Sequence, residues 1–293
     1  MINLNRWAIG ILLASVSLAA SDSGQRGIVP EDVVQARPPA TAPAPVKVKP
    51  KYKALDPQVV ASLRHSSAAS ELGVTIWRLR PAAAADSGAR ILVQEGTETA
   101  ELIPERVSST SRLTAGDRVR LTLESPEHGY LYVVDRERYG SGERGAPYLI
   151  FPTIRTRGGD NKVSGGKLID IPAQSDRPNF FALHRSRPDQ VEEELTVLLT
   201  PEPIEGITIG ENALALSNAQ VAAWEKQWGS AKPEVFELAG GTGRAWTRAE
   251  QDAAADGTRL LTQDDPAPQT VYRVSVKPGG ALAVEVRLRY RPR

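Results

Sequence analysis

The chain has 293 residues, 41% of them hydrophobic and 24% charged, an ordinary balance for a globular protein with a sizeable core. Its 36 basic and 35 acidic side chains leave a formal charge of +1, so no overall field favours nucleic acid or an anionic membrane. Cysteine is absent, which excludes disulfides, thiol catalysis, zinc–thiolate sites and a lipoprotein anchor.

At the N-terminus Arg6 precedes an apolar run, residues 7–20 (WAIGILLASVSLAA). The run is shorter than the roughly 20 residues that cross a bilayer. Ser17 and Ala19 stand at −3 and −1 of a cut after Ala19, the small-x-small pattern of a signal peptide over residues 1–19; a cut after Ala20 fits nearly as well. The expected mature protein is exported, periplasmic or extracellular, and without a transmembrane segment. Residues 20–56 form a proline- and lysine-rich stretch with few large apolar side chains. Such a composition predicts a disordered linker with extended segments, because it cannot bury enough surface to offset its ordering entropy. Lys47, Lys49, Lys51 and Lys53 alternate within it, reading as a solubilising spacer or as a tether to an acidic wall polymer. Residues 57–63 suggest a short helix. The folded domain is expected over 70–293, long enough to bury roughly 70% of its unfolded surface.

From Gly73 the pattern is β. Residues 74–79 alternate, with Val74, Ile76 and Leu79 competing against Trp77 for the inside, and 90–94 read as a second strand. The stretch from there to Arg112 is polar and carries little pattern. In 118–123, Val119, Leu121 and Leu123 point one way and Arg118, Arg120 and Thr122 the other, as in a half-buried antiparallel strand. Residues 130–134 (YLYVV) are apolar on both faces and belong at a sheet centre. After a loop over 137–145, residues 148–151 (YLIF) make its neighbour, a pairing that could align buried tyrosines across the two strands. Further strands are expected at 167–171, 179–183, 194–200, 270–276 and 281–290. The last two flank Lys277-Pro278-Gly279-Gly280, a hairpin signal. In the final strand Val284, Val286, Leu288 and Tyr290 should face in, with Glu285, Arg287 and Arg289 out.

Two helices interrupt the strands. Ser217 to Gln220 is a capping box, followed by Val221, Trp224 and Trp228 on one face and Gly229 at the end. Thr247 to Glu250 is a second box, opening an alanine-rich helix with little to bury and hence a peripheral place. The expected fold class is mainly β: an antiparallel β-sandwich, Ig-like or jelly-roll-like, with two short helical insertions.

Organised chemistry is harder to find. Gly140, Gly142 and Gly145 match G-x-G-x-x-G by letter, yet the turn opens a strand where a dinucleotide site needs a helix. His65, His128 and His184 lack metal-ligand spacing, and no G-x-S-x-G elbow marks a nucleophile. Asp160 and Asn161 resemble a fragment of a calcium loop without its other carboxylates. Asp135, Glu137 and Glu143 interleave with Arg136, Arg138 and Arg144, reading as a solvated, self-compensating charged loop. The residues expected to face a ligand are therefore loop residues: Arg138, Tyr139, Glu143 and Arg144 in one loop, Arg157, Asp160, Asn161 and Lys162 in another, and Trp246.

The blocks LTAGDRVRL at 113–121, GYLYVVD at 129–135, LIFPT at 149–153, NKVSGG from Asn161, the Ile171-Pro172 pair and ELTVLL at 194–199 stand in this order. Together they resemble a bacterial domain family of unknown function over about residues 113–201. The resemblance implies an exported β-sandwich accessory module, of a kind also joined to protease-like and kinase-like domains, and it brings no catalytic residues or cofactors. Residues 202–293 are then a C-terminal extension. The reading that follows is a non-catalytic binding or interaction module of the cell envelope, with a protein or envelope-polymer partner. A hydrolase assembled from loop residues and a structural envelope protein are the alternatives.

Overall fold

The computed structural model describes residues 37–38 and 68–292, apart from 85, 96, 230–231, 256–258 and 277–279. The expected signal peptide, the expected helix at 57–63 and all of the expected linker except Arg37 and Pro38 lie outside the described residues.

The fold is a two-sheet β-sandwich, as the alternating patterns predict. The first sheet holds β1 (Ala68–Pro81), β2 (Ile91–Glu95), β3 (Glu98–Val107), β5 (Arg118–Ser125), β9 (Lys167–Ile171), β10 (Phe181–Ala182), β13 (Glu234–Glu237) and β14 (Thr270–Val276). The second holds β4 (Arg112–Leu113), β6 (Gly129–Tyr139), β7 (Tyr148–Phe151), β8 (Lys162–Val163), β11 (Gln190–Thr200), β12 (Leu214–Ala215) and β15 (Leu282–Tyr290). Long β1 organises the first sheet: β5 runs along one side, while β14 and then β3 share the other. In the second, β11 lies between β6 and β15 over most of its length. Every strand pairing is antiparallel except β15 with β4.

Alternate residues of the facing sheets make the central core. Val74 and Ile76 of β1, Leu121 and Leu123 of β5, Leu131 and Val133 of β6, Val197 and Leu199 of β11, and Val284 and Val286 of β15 all lie in it. Each sheet also buries part of its outer face. Trp77, Leu79, Ile91, Val93, Leu102, Phe180, Trp246 and Ala254 pack over the first sheet. Helix α1 (Asn218–Trp228) lays Val221 and Trp224 on Tyr132, Val134, Leu149 and Leu198 of the second. This second layer explains why 130–134 carry no polar face. It also settles the competition in β1: Trp77 is buried on the face opposite Val74 and Ile76, and Leu79 lies with Trp77 rather than with them.

Several expectations need correction. Strand β5 is buried on both faces: Arg120, Thr122 and Glu124 are as hidden as Val119, Leu121 and Leu123. The polar stretch before Arg112 contains β3, whose Glu105 binds Arg78 at 2.8 Å, so its charge is matched across the sheet. Strands β14 and β15 sit in different sheets, so they do not pair as the expected hairpin. Tyr148 faces Asp135 across the β6–β7 ladder and is exposed, so no tyrosine pair forms there.

Helix α2 (Arg248–Ala255) has its capping box: Thr247 N donates to Glu250 Oε2 at 2.9 Å, and Glu250 N to Thr247 Oγ1 at 3.2 Å. The helix is integral to the layer and not peripheral, because Ala253 and Ala254 are buried and Glu250 pairs with the buried guanidinium of Arg106. Arg37 departs from the linker reading as well. The residue is 2% exposed and its side chain is seated on Glu124 of β5.

Candidate functional site

Helix α1 covers only part of the second sheet's outer face, and beside it lies a groove of about 370 Å³. The helix starts where the sequence dictates: Ser217 Oγ accepts a hydrogen bond from Gln220 N at 3.0 Å, and the Gly229 N–H closes the last turn on Glu225 O at 2.8 Å. Val221, Trp224 and Glu225 form one wall of the groove. The floor comes from three adjacent strands: Val134 of β6, Thr196 and Leu198 of β11, and Ala283 of β15. Thr196 faces Val134 on one side and Glu285 on the other, and Leu198 faces Ala283. Where Ala283 stands, a larger side chain would fill the space.

The rim is charged. Arg144 reaches Glu194 at 2.8 Å and approaches Glu285 at 3.8 Å and Glu225 at 3.9 Å. Arg136 holds the helix start through Asn218 Oδ1 at 3.0 Å. Lys232 and Pro233 close the far side. Beyond the groove the same face becomes a ladder of ions, because Glu192 and Glu194 of β11 each lie between arginines of both neighbours. Glu192 stands opposite Arg138 and Arg289, and Glu194 opposite Arg136 and Arg287. Arg138 closes on Glu194 at 3.2 Å, and both Arg287 and Arg289 reach Glu192 at 3.4 Å. A shared charge ladder fixes register while leaving no large net field.

The inner face of the same strands carries a different group. Asp135, Glu137 and Glu193 point into one end of the sandwich, where Glu193 stands opposite Glu137. The Tyr290 hydroxyl lies 2.8 Å from Glu193 Oε1, and Gln190 Nε2 donates to the same oxygen at 2.8 Å. The Tyr139 hydroxyl donates to Glu137. Burial, reinforced by Glu193 and Glu137, pushes the Asp135 carboxyl up to about 8, and burial raises Glu193 too. Asp135 is thus held towards its neutral form. These residues are not the solvated loop that interleaved charges suggest, because β6 runs on to Tyr139 and carries them into the sheet.

Of the nine residues expected to face a ligand, only Arg144 lines the groove. Arg138 belongs to the neighbouring ion ladder. Tyr139 is buried beneath Arg187, whose guanidinium carbon lies 3.9 Å from its ring centre, and Glu143 pairs with Arg187 at 3.2 Å. The second loop lies at the other end of β6, because β8 pairs with Gly129 and Tyr130. The two loops are thus separated by most of an eleven-residue strand, about 30 Å. There Arg157 N donates to both Asp176 carboxylate oxygens at 3.1 Å, Asp160 Oδ1 accepts from Lys162 N at 3.0 Å, and Lys162 is exposed.

Asn161 faces inward. Its Nδ2 donates to Leu131 O at 3.1 Å and its carbonyl accepts from Leu131 N at 2.8 Å, pinning the loop to β6. Trp246 is 2% exposed, with its ring centre 5.7 Å from that of Trp77 and Arg120 stacked over it, so it is a core residue and offers no stacking platform. His128 and His184 are both exposed. Among the described residues no group of three or more carboxylates and histidines is arranged to hold a metal ion.

The groove residues escaped the sequence reading because they come from four separate elements. A partial signal existed: the doubly apolar 130–134 run requires a cover, and the Val221/Trp224 face supplies one. No protein-family model matches the chain, and no curated protein or solved structure is significantly similar to it.

Proposed function

We propose that the chain is a non-catalytic binding module of the exported, cell-envelope kind, whose groove beside α1 takes an apolar anchor side chain from a partner polypeptide. The observation that carries this reading is the groove itself. Its volume of about 370 Å³ falls within the ~300–1,000 Å³ range of ligand pockets, and an apolar floor is ringed by Arg144, Glu225, Lys232 and Glu285. An apolar well with a polar rim is the usual anatomy of a site that buries one large side chain and orients the flanking chain by hydrogen bonds and charge. Both signs of charge on the rim suit a polypeptide better than a polyanionic wall polymer. The N-terminal signal pattern and the family resemblance at 113–201 support an exported accessory role.

Selection from a displayed random-peptide library against the whole domain tests the reading. Peptides sharing one aromatic or branched aliphatic position should be enriched. Their binding should fall at least tenfold in Ala283→Trp, which fills the well, and shift in sequence preference in Arg144→Glu. Peptides that bind Ala283→Trp as well as the unaltered chain would move the site elsewhere.

A further inference from the structure

Arg37 lies far in sequence from everything it touches, and its contacts form a complete guanidinium site. Nε donates to Glu124 Oε1 at 2.8 Å and Nη2 to Glu124 Oε2 at 2.6 Å, the parallel fork that a carboxylate offers to arginine. Nη1 donates to the Asp265 carbonyl at 2.8 Å, with the Thr262 and Pro266 carbonyls 3.4 Å from Nη1 and Nη2. The main chain is read too. Gln263 N donates to Pro38 O at 3.1 Å, and Gln263 Nε2 to Arg37 O at 3.3 Å. Arg37 is 2% exposed while Pro38 beside it is exposed, so a single side chain is inserted from outside.

The receiving surface is built independently of Arg37. Asp265 shapes the turn, taking Thr262 N at 2.7 Å and pairing with Arg259 at 2.6 Å. The following segment lies flat on β1 because Gly73 has no side chain there: a Cβ would meet Pro268 Cγ at 2.7 Å. Glu124 is fixed in β5, with Gly73 and Leu168 as its ladder neighbours.

We infer that Glu124 and the 262–266 turn form a peptide-recognition site for an arginine followed by proline, occupied in cis by Arg37-Pro38 of the same chain. The site reads the planar five-donor fork, which lysine cannot reproduce, and two main-chain carbonyls. Proline suits the second position because it brings no N–H that would need a partner. The site lies on the outer face of the first sheet, whereas the proposed ligand groove lies on the outer face of the second, so the two are separate.

The test uses the full chain carrying Arg37→Ala and a capped peptide of residues 35–39 (QARPP). The peptide should raise the Tm of the variant saturably, by roughly 3 °C or more at ten times its Kd. It should leave the unaltered chain, whose site is filled, unchanged. The lysine peptide QAKPP should have no effect, and Gln263→Ala added to Arg37→Ala should weaken peptide binding several-fold. If Arg37→Ala does not fold alone, refolding yield with QARPP against QAKPP is the readout, and a yield restored by the arginine peptide only is the expected result. Equal effects of both peptides, or no effect of either, would overturn the site. Sedimentation of the unaltered chain decides the occupant: a monomer agrees with docking in cis, and a dimer that Arg37→Ala dissociates would overturn it in favour of exchange between copies.

Discussion

Arg37 and Glu124, 87 positions apart, meet through two hydrogen bonds of 2.8 and 2.6 Å, with side chains 1% and 3% exposed. Two further buried arginine–carboxylate pairs lie on the same face of the first sheet, Arg106 with Glu250 and Arg120 with Asp170. The outer layer of this sheet is thus held by ion pairs as well as by the Trp77 and Trp246 cluster.

Removing one partner of a buried pair leaves the other charged, desolvated and alone. Arg37→Ala should therefore destabilise the domain by on the order of 3 kcal/mol. Arg90→Ala, which breaks a pair whose side chains are 50% and 58% exposed, should change stability by less than about 1 kcal/mol. Urea denaturation of the two variants measures the contrast. Similar losses would mean that Arg37 does not stay docked in solution.

Asp135 gives a pH signature. Its carboxyl is raised to about 8 in the folded chain by burial and by Glu193 and Glu137. Between about pH 4 and 8 the folded state holds a proton that the unfolded state has released, so stability is full below that window and falls as pH rises through it. Asp135→Asn should flatten this slope and raise stability at pH 8 by on the order of 2 kcal/mol. Glu193, shifted the same way, leaves a residual slope. Denaturation midpoints from pH 5 to 9 read it directly; an unchanged slope would place the titration elsewhere.

Tyr132 tests the second layer. It is buried between β6 and the α1 cover, and its hydroxyl accepts a hydrogen bond from Ile204 N at 2.9 Å. Tyr132→Ala should cost about 3–4 kcal/mol. Tyr132→Phe should cost on the order of 1 kcal/mol, the net worth of one hydrogen bond whose donor is left unpaired. A loss below about 1 kcal/mol for the alanine variant would show that α1 does not seal this face.

Gly73 tests the seam between β1 and the 262–268 segment. The added methyl of Gly73→Ala would meet Pro268 Cγ at 2.7 Å and Cβ at 2.9 Å, so the segment must lift. A loss of about 1–3 kcal/mol is expected. Because the same segment carries the carbonyls that hold Arg37, Gly73→Ala and Arg37→Ala should be non-additive by more than about 0.5 kcal/mol in a double-mutant cycle.

Strand identity, the central core and both helix starts were legible in the order of residues. Side-chain alternation with period two fixes which residues of β5, β11 and β15 can share a face, and a capping box names its own helix terminus. Val284, Val286, Leu288 and Tyr290 accordingly face inward, with Glu285, Arg287 and Arg289 on the other side. The limits of such local rules show at β3, whose Glu105 is matched by Arg78 and Arg80 on a neighbouring strand. They show again at Asp135 and Glu137, polar residues that a strand carries into the interior.

What only the tertiary structure decided is which strands meet and what covers each outer face. The chain between β14 and β15 has the composition of a hairpin turn, yet β14 pairs with β1 in one sheet and β15 with β11 in the other. The groove draws on β6, β11, β15 and α1, and the Arg37 site joins residues 37, 124 and 262–266. No local pattern marks such sites, since their members share neither period nor proximity in sequence. Their composition became readable only once the two sheets had closed on each other and left α1 on one side and the 262–268 segment on the other.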